Sequence, residues 1–249
     1  MLIQCAIGFL ITALTSCLSS QTQTIDEILD HVENADINSV SATISYTRTD
    51  PILDRKEIRT GKILFRTRDG KREAAILFDT IIIGRRREEK QKHYVFSGRW
   101  MAEIDYANKQ FIKRELVAPG EKEVDPFELG SGPIPLPIGQ TKESVLSKYV
   151  VEKTTKPTEG PLSKLSDNVV GLRLIPKTKD EWESIELFYD PKTWLPIGVR
   201  TIETDGTKRV SRLSNIQLNE LSEEEIQLLN IQTPDPKEWS IDIQPWSRD

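Results

Sequence analysis

The chain has 249 residues and a net charge of −5 at pH 7, long enough for a sizeable core and too acidic for a general nucleic-acid binder. Its two cysteines, Cys5 and Cys17, both lie in the first 17 residues, so the body beyond them has no thiolate nucleophile, disulfide or cysteine-bound metal. His31 and His93 are the only histidines, which leaves little for histidine-based catalysis.

Residues 5–14 form an apolar run too short to span a bilayer, which takes about 20 apolar residues, and suited to the core of a secretory signal. Leu14-Thr15-Ser16-Cys17 follows it. This tetrapeptide resembles the lipobox of bacterial lipoproteins, in which the cysteine is acylated. Two outcomes fit the pattern: anchoring through a lipidated Cys17, or cleavage near Ser20 and release. Either way the expectation is a signal over residues 1–20 and one exported domain over residues 21–249. That domain must be stable without disulfides in an oxidising compartment.

Thr24 and Glu27 stand at capping-box spacing, and Ile25, Ile28, Leu29 and Val32 share one stripe. Together they predict a helix over 24–35, with His31 at its boundary. The pattern then changes to period two. Val40, Ala42, Ile44 and Tyr46 alternate with Ser and Thr, as in a strand with one buried and one wet face. Strands are predicted at 56–67 and 72–83, joined by Asp69-Gly70, a strong hairpin signal. The second is apolar on both faces and reads as covered on both sides. Between it and the next strand, Arg85-Arg86-Arg87 with Lys90 and Lys92 reads as a solvated hairpin tip, or as a contact for anionic headgroups or an acidic partner.

Strands follow at 93–97, 99–106 and 109–116. Residues 117–139 are dense in proline and glycine, which excludes regular structure. Phe127, Leu129, Ile134, Leu136 and Ile138 give this loop apolar anchors. A short helix is predicted at 140–149, then strands at 150–156, 168–175, 183–190, 195–204 and 207–219. Asp190-Pro191 and Asp205-Gly206 mark turns between the last three. Ser222 and Glu225 repeat the capping-box spacing and open a helix to 229. The tail from Thr233, with its prolines, reads as a surface wrap that tucks in Trp239 and Trp246.

Sequential hairpins with three short helices predict a mainly β fold. One strongly curved antiparallel sheet would form a half-open barrel closed by the helices. The inner face of such a sheet must be filled by side chains, by a cover or by a ligand. The large apolar residues assigned inward parity are Ile44, Tyr46, Ile63, Phe65, Ile76, Phe78, Phe96, Trp100, Leu187, Tyr189, Ile197 and Val199. They either pack a filled core or line an apolar ligand cavity. Glu103 and Asp105 share a strand face and read as solvated carboxylates rather than an acid pair. No nucleophile elbow, P-loop, zinc-protease or dinucleotide motif occurs, so neither enzymatic activity nor a cofactor is expected.

Several stretches carry a resemblance through their order and spacing: SVSATISYTRTD (39–50), GKILFR (61–66), YVFSGRWMAEIDYANKQ (94–110), LRLIPK (172–177), IELFYDPKTWLPIGVRTIETDG (185–206) and NIQLNE (215–220). Together they resemble the LolA-like family of periplasmic lipoprotein carriers, whose fold is shared by outer-membrane lipoprotein receptors. DPFELGSGPIPLPIGQ (125–140) resembles a segment of planctomycete members. The resemblance implies a half-open barrel over an acyl-chain cavity in a monomeric periplasmic protein. Its ligands would be the acyl chains of lipoproteins or lipids, and its further partners envelope membrane proteins. In the carriers an Arg-Pro pair after the second strand is tied to cargo transfer. Here the place reads Arg66-Thr67-Arg68, so Arg66 and Arg68 are the cargo-transfer candidates. If Cys17 is lipidated, an anchored, receptor-like member is the nearer parallel. The second reading is an envelope protein-interaction or stress-sensing module on the same fold.

Overall fold

The computed structural model describes residues 23–53, 55–121, 125–127 and 138–247. The signal segment with Cys5, Cys17 and Ser20 lies outside them, as does most of the planctomycete-like segment. Helix α1 (Ile25–Glu33) forms as its cap requires: Thr24 Oγ1 accepts from Glu27 N at 3.2 Å, and Glu27 Oε2 accepts from Thr24 N at 2.7 Å. Its buried stripe is Ile28, Leu29 and Val32.

Twelve strands follow among the described residues. They are β1 (Ser39–Asp50), β2 (Arg55–Arg68), β3 (Lys71–Ile83), β4 (Arg86–Ser97), β5 (Trp100–Asp105), β6 (Gln110–Glu115), β7 (Tyr149–Thr154), β8 (Val170–Pro176), β9 (Trp182–Tyr189), β10 (Pro196–Glu203), β11 (Lys208–Leu218) and β12 (Ser240–Gln244). They form one open sheet in the order β12-β6-β5-β4-β3-β2-β1-β11-β10-β9-β8-β7. Two meanders are thus joined by one long-range antiparallel pair, β1 with β11, in which Ile44 faces Leu213. Helix α2 (Lys142–Lys148) precedes β7, and α3 (Glu223–Leu228) follows β11.

Two elements depart from the sequence reading. Strand β4 begins at Arg86, not near 93, so Arg86 to Lys92 is strand and the turn is confined to residues 84–85. The outer half of this hairpin projects beyond the covered sheet, so charged side chains on both faces stay solvated and period-two hydrophobicity disappears. The tail does not wrap the surface throughout. Residues 240–244 pair parallel with β6 from Ser240–Gln110 to Gln244–Arg114, and β12 thereby covers the backbone edge of β6. Trp239 is half-buried with its ring edge-on to Tyr106 at 5.4 Å, whereas Trp246 is exposed.

The sheet is covered on both faces, unevenly. The inner face carries the large apolar cluster, to which α1, Val145 of α2, Phe127 and Ile138 all contribute. On the outer face, Leu64, Ala75, Leu77 and Val95 pack with Leu229 at the end of α3. Farther along the sheet, Leu162 and Leu165 from a 3-10 turn (Pro161–Lys164) and its C-cap sit on Phe188. Gly198 makes that seat possible: a Cβ there would lie 2.7 Å from Leu165 Cδ1. The double cover explains why β3 reads apolar on both faces, and it buries both faces of β9, Ser184 and Glu186 included. Of the three α-helices among the described residues, two rest on the inner face and α3 on the outer.

Candidate ligand-binding face and cleft

The inner cluster gathers most of the residues assigned inward parity. Ile44, Ile63, Phe65, Ile76, Phe78, Phe96, Leu187, Tyr189 and Val199 are buried in it, with Tyr46 and Ile197 packed against it. Trp100 is on the opposite face. The β4–β5 register pairs Phe96 with Met101, and Met101 packs on the inner cluster. Trp100, one residue earlier, therefore points outward, where the Lys113 ammonium lies 4.5 Å from its ring centroid. In this conformation α1 and its companions occupy the inner face.

The polar ties of that cover are few and superficial. Lys142 Nζ lies 3.0 Å from Asp30 and 3.7 Å from Asp26 on α1, and Lys142 N donates to Glu33 Oε2 at 3.0 Å. Lys153 Nζ donates to the Gln23 carbonyl. His31, exposed on α1, stacks on Trp194 at 4.6 Å and 6°, which agrees with its boundary reading. Exposed pairs of this kind contribute about 0–1 kcal/mol each. Apolar burial therefore holds the cover down.

The proline-rich loop is fastened at its stems. Arg72 pairs with Asp125 at 2.6 Å and donates to the Ile138 carbonyl at 2.8 Å. Gln140 Nε2 donates to the Phe127 carbonyl at 3.1 Å, and Phe127 meets Phe65 edge-on at 4.6 Å. Gly139 has φ +64°, and a Cβ there would stand 2.4 Å from Arg72 Nη2. Sequence reading did not single out Arg72, which looks like an ordinary polar residue after a hairpin turn. Of the two cargo-transfer candidates, Arg66 is mostly buried and paired with Glu73 across β2–β3, its Nε at 3.0 Å. Arg68 is exposed, 3.5 Å from Asp69.

At the other end of β1–β4, five adjacent strands line a cleft of about 390 Å³: Tyr46 and Arg48 from β1, Glu57 and Arg59 from β2, Phe78, Tyr94, and Arg209 from β11. Its floor is aromatic, with Phe78 6.0 Å from Tyr46 and 6.4 Å from Tyr94. Burial pushes the Tyr46 phenol above its ordinary value, so it stays neutral. The rim is cationic. Arg59 sits 5.9 Å from the Phe78 centroid and pairs with Glu57 at 2.6 Å. Arg209 pairs with Glu203 at 2.5 Å and lies 5.5 Å from the Trp182 centroid. Arg48 is exposed and has no ion-pair partner among the described residues. An apolar floor with a cationic rim suits an amphiphile with an anionic group. Continuing the Ile44–Tyr46 alternation by one step would have found Arg48. Nothing in the sequence spacing brings Arg59 and Arg209 to it.

A second cleft, about 340 Å³, lies on the outer face beneath the segment after α3, lined by Leu77, His93, Ile104, Tyr106, Leu228 and Trp239 among others. Burial lowers the His93 pKa against the opposing pull of Asp79, and its Nε2 has no hydrogen-bond partner.

No family model matches the sequence, and no curated protein matches it. Among solved structures, the chain is similar to an uncharacterized conserved protein from Thermus thermophilus at 11% identity and TM-score 0.47, over 90% of this chain and 100% of that one. It is similar to the MucA/MucB complex of Pseudomonas aeruginosa at 18% identity and TM-score 0.46, over 81% and 59%. A third is the LolA superfamily protein NE2245 from Nitrosomonas europaea, at 10% identity and TM-score 0.32, over 81% and 96%.

Proposed function

We propose that the protein is exported and shelters the acyl chains of lipids or lipoproteins on the inner face of its sheet, with entry through the arginine-rimmed cleft. The observation that carries this reading is the continuity of cleft and core: Phe78 belongs both to the cleft floor and to the inner apolar cluster. An acyl chain lying on Tyr46, Phe78 and Tyr94 could follow Ile44, Ile63 and Ile76 inward as α1 lifts. Burial of the chain is worth about 0.8 kcal/mol per methylene, so a long acyl chain, rather than a few methylenes, is needed to replace both α1's weak polar ties and the apolar burial of Ile28, Leu29 and Val32. The inward residues Phe65, Phe96, Leu187, Tyr189, Ile197 and Val199 would line the deeper path. Arg66 is held in its pair with Glu73, and exposed Arg68 lies at the end of the sheet away from the cleft, so either would meet cargo only at the far end of the inner face. The exported chain would work in the periplasm, held at the membrane if Cys17 is lipidated.

Titration of a dansylated fatty acid into the full chain tests this reading. Saturable uptake is expected. Arg48→Glu should weaken binding of the anionic probe about tenfold, near 1.4 kcal/mol, and leave the matching fatty alcohol unchanged. Absence of uptake would reject the proposal. A second reading has its own observation: among the described residues no strand pairs with the outer edge of β7, where Val150 is exposed, and an envelope protein could add a strand there.

A further inference from the structure

Beyond the cleft, three hairpin tips lie side by side. Asp50 pairs with Arg55 at the end of the β1–β2 hairpin. Ile83 pairs with Glu57 on one side and Arg86 on the other, which sets the β3–β4 tip beside the first. Thr49 pairs with Lys208, which sets the β10–β11 tip on the far side. The central tip presents Ile52 and Leu53, 82% and 67% exposed. A single exposed apolar residue is ordinary, but two in sequence at the tip of a projecting hairpin are not. The turn holds them there: Asp50 Oδ1 accepts from the backbone N–H of both Ile52 and Leu53 at 3.0 Å, which fixes the backbone and leaves the side chains outside. Ile83, at the neighbouring tip, is exposed as well.

The charges around this pair are unevenly spent. Arg48, Arg55, Lys56, Arg85 and Arg87 have no ion-pair partner among the described residues. Several acids of the same end are engaged: Glu57 with Arg59, Glu88 with Arg86, Glu203 with Arg209, and Asp50 and Asp205 with backbone N–H groups of their own turns. Glu89, farther along β4, and exposed Glu181 and Glu183, beside the β10–β11 tip, have no ion-pair partner among the described residues, and Asp54 lies outside them. The chain as a whole is negative, so this end is a local basic field around a projecting apolar pair.

We propose that these tips dock the protein on an anionic phospholipid surface, with Ile52 and Leu53 entering the interfacial layer and the free cations meeting lipid phosphates. Arg48 belongs to both the docking surface and the cleft rim, so docking turns the cleft mouth toward the lipid. The proposal goes beyond acyl sheltering and stands without it, since a docked protein need carry no cargo.

An environment-sensitive dye at position 53 tests it, attached after Leu53→Cys in a full chain that also carries Cys5→Ser and Cys17→Ser. With vesicles of mixed phosphatidylglycerol and phosphatidylcholine, emission should rise at least about twofold and shift to the blue. With pure phosphatidylcholine it should stay at the aqueous value. Arg85→Gln with Arg87→Gln, or high salt, should remove most of the rise. The same dye at exposed position 150, on the far sheet edge, should not respond. No rise with the anionic vesicles overturns the proposal, as does an equal rise on both vesicle types or at both dye positions. Because no cargo is present, failure here is separate from failure of fatty-acid uptake.

Discussion

Glu225 shows how one side chain can fasten an element to a sheet. Its carboxylate accepts from Ser41 Oγ at 2.7 Å, from Ser222 N at 2.9 Å and from Lys62 Nζ at 3.0 Å. The Ser41 bond, then the Ser222 backbone bond, hold its pKa down to about 2 from an ordinary 4.5. The unfolded chain therefore binds the proton more readily. Stability from this group is complete above pH 4.5 and is lost as the pH falls from 4.5 toward 2. Glu225→Gln should cost about 1–3 kcal/mol at pH 7 and flatten the stability profile across that acid window, read by urea denaturation at a series of pH values. Arg72 has the matching role on the inner face. Arg72→Ala should cost about 1–3 kcal/mol by losing the Asp125 pair and the Ile138 carbonyl bond, and Gly139→Ala should destabilise through its positive φ and the collision with Arg72. A urea midpoint unchanged in either variant would contradict the role given to the loop stems. The local half of Glu225's work was legible, because Ser222 and Glu225 sit at capping-box spacing. Its bond to Ser41 spans 184 residues, and no spacing rule reaches that far.

At the scale of elements, the proposed function requires α1 to be a removable cover. Its apolar stripe is buried on the inner face, while its polar ties are exposed. Ile28→Ala should cost about 2–5 kcal/mol, as expected for a fully buried aliphatic side chain. If α1 is the movable cover, its amides should exchange with deuterium well before those of β1–β3 under native conditions. Exchange of α1 only with global unfolding would make it a fixed part of the core. The helices were readable because cap and stripe coincide within one turn. Strand boundaries were less so. In β4 the residues from Arg86 to Lys92 are held by cross-strand pairing with β3, and solvent on both faces removes the alternation that marks a strand. In β12 the backbone need of the β6 edge organises five mostly exposed residues that carry little apolar signal.

For the whole molecule, the decisive feature is one pairing between distant strands. Hairpins follow from local turns such as Asp69-Gly70 and Asp205-Gly206. The β1–β11 ladder instead closes the two meanders into one sheet and sets Arg209 beside Arg48, completing the cleft. Alternation told which residues face inward wherever the register was simple, and it failed at Trp100, where the tight β4–β5 turn fixes the parity. The inner face was thus largely legible as a set of residues. Its cationic mouth was not, because it is assembled from five strands. The central claim, that this face shelters acyl chains, is tested most directly by native mass spectrometry of the full chain expressed into a bacterial periplasm. Adducts of lipid mass should be present, disappear after solvent extraction and reappear on adding lipid. A bare polypeptide mass that takes up no added lipid would contradict it.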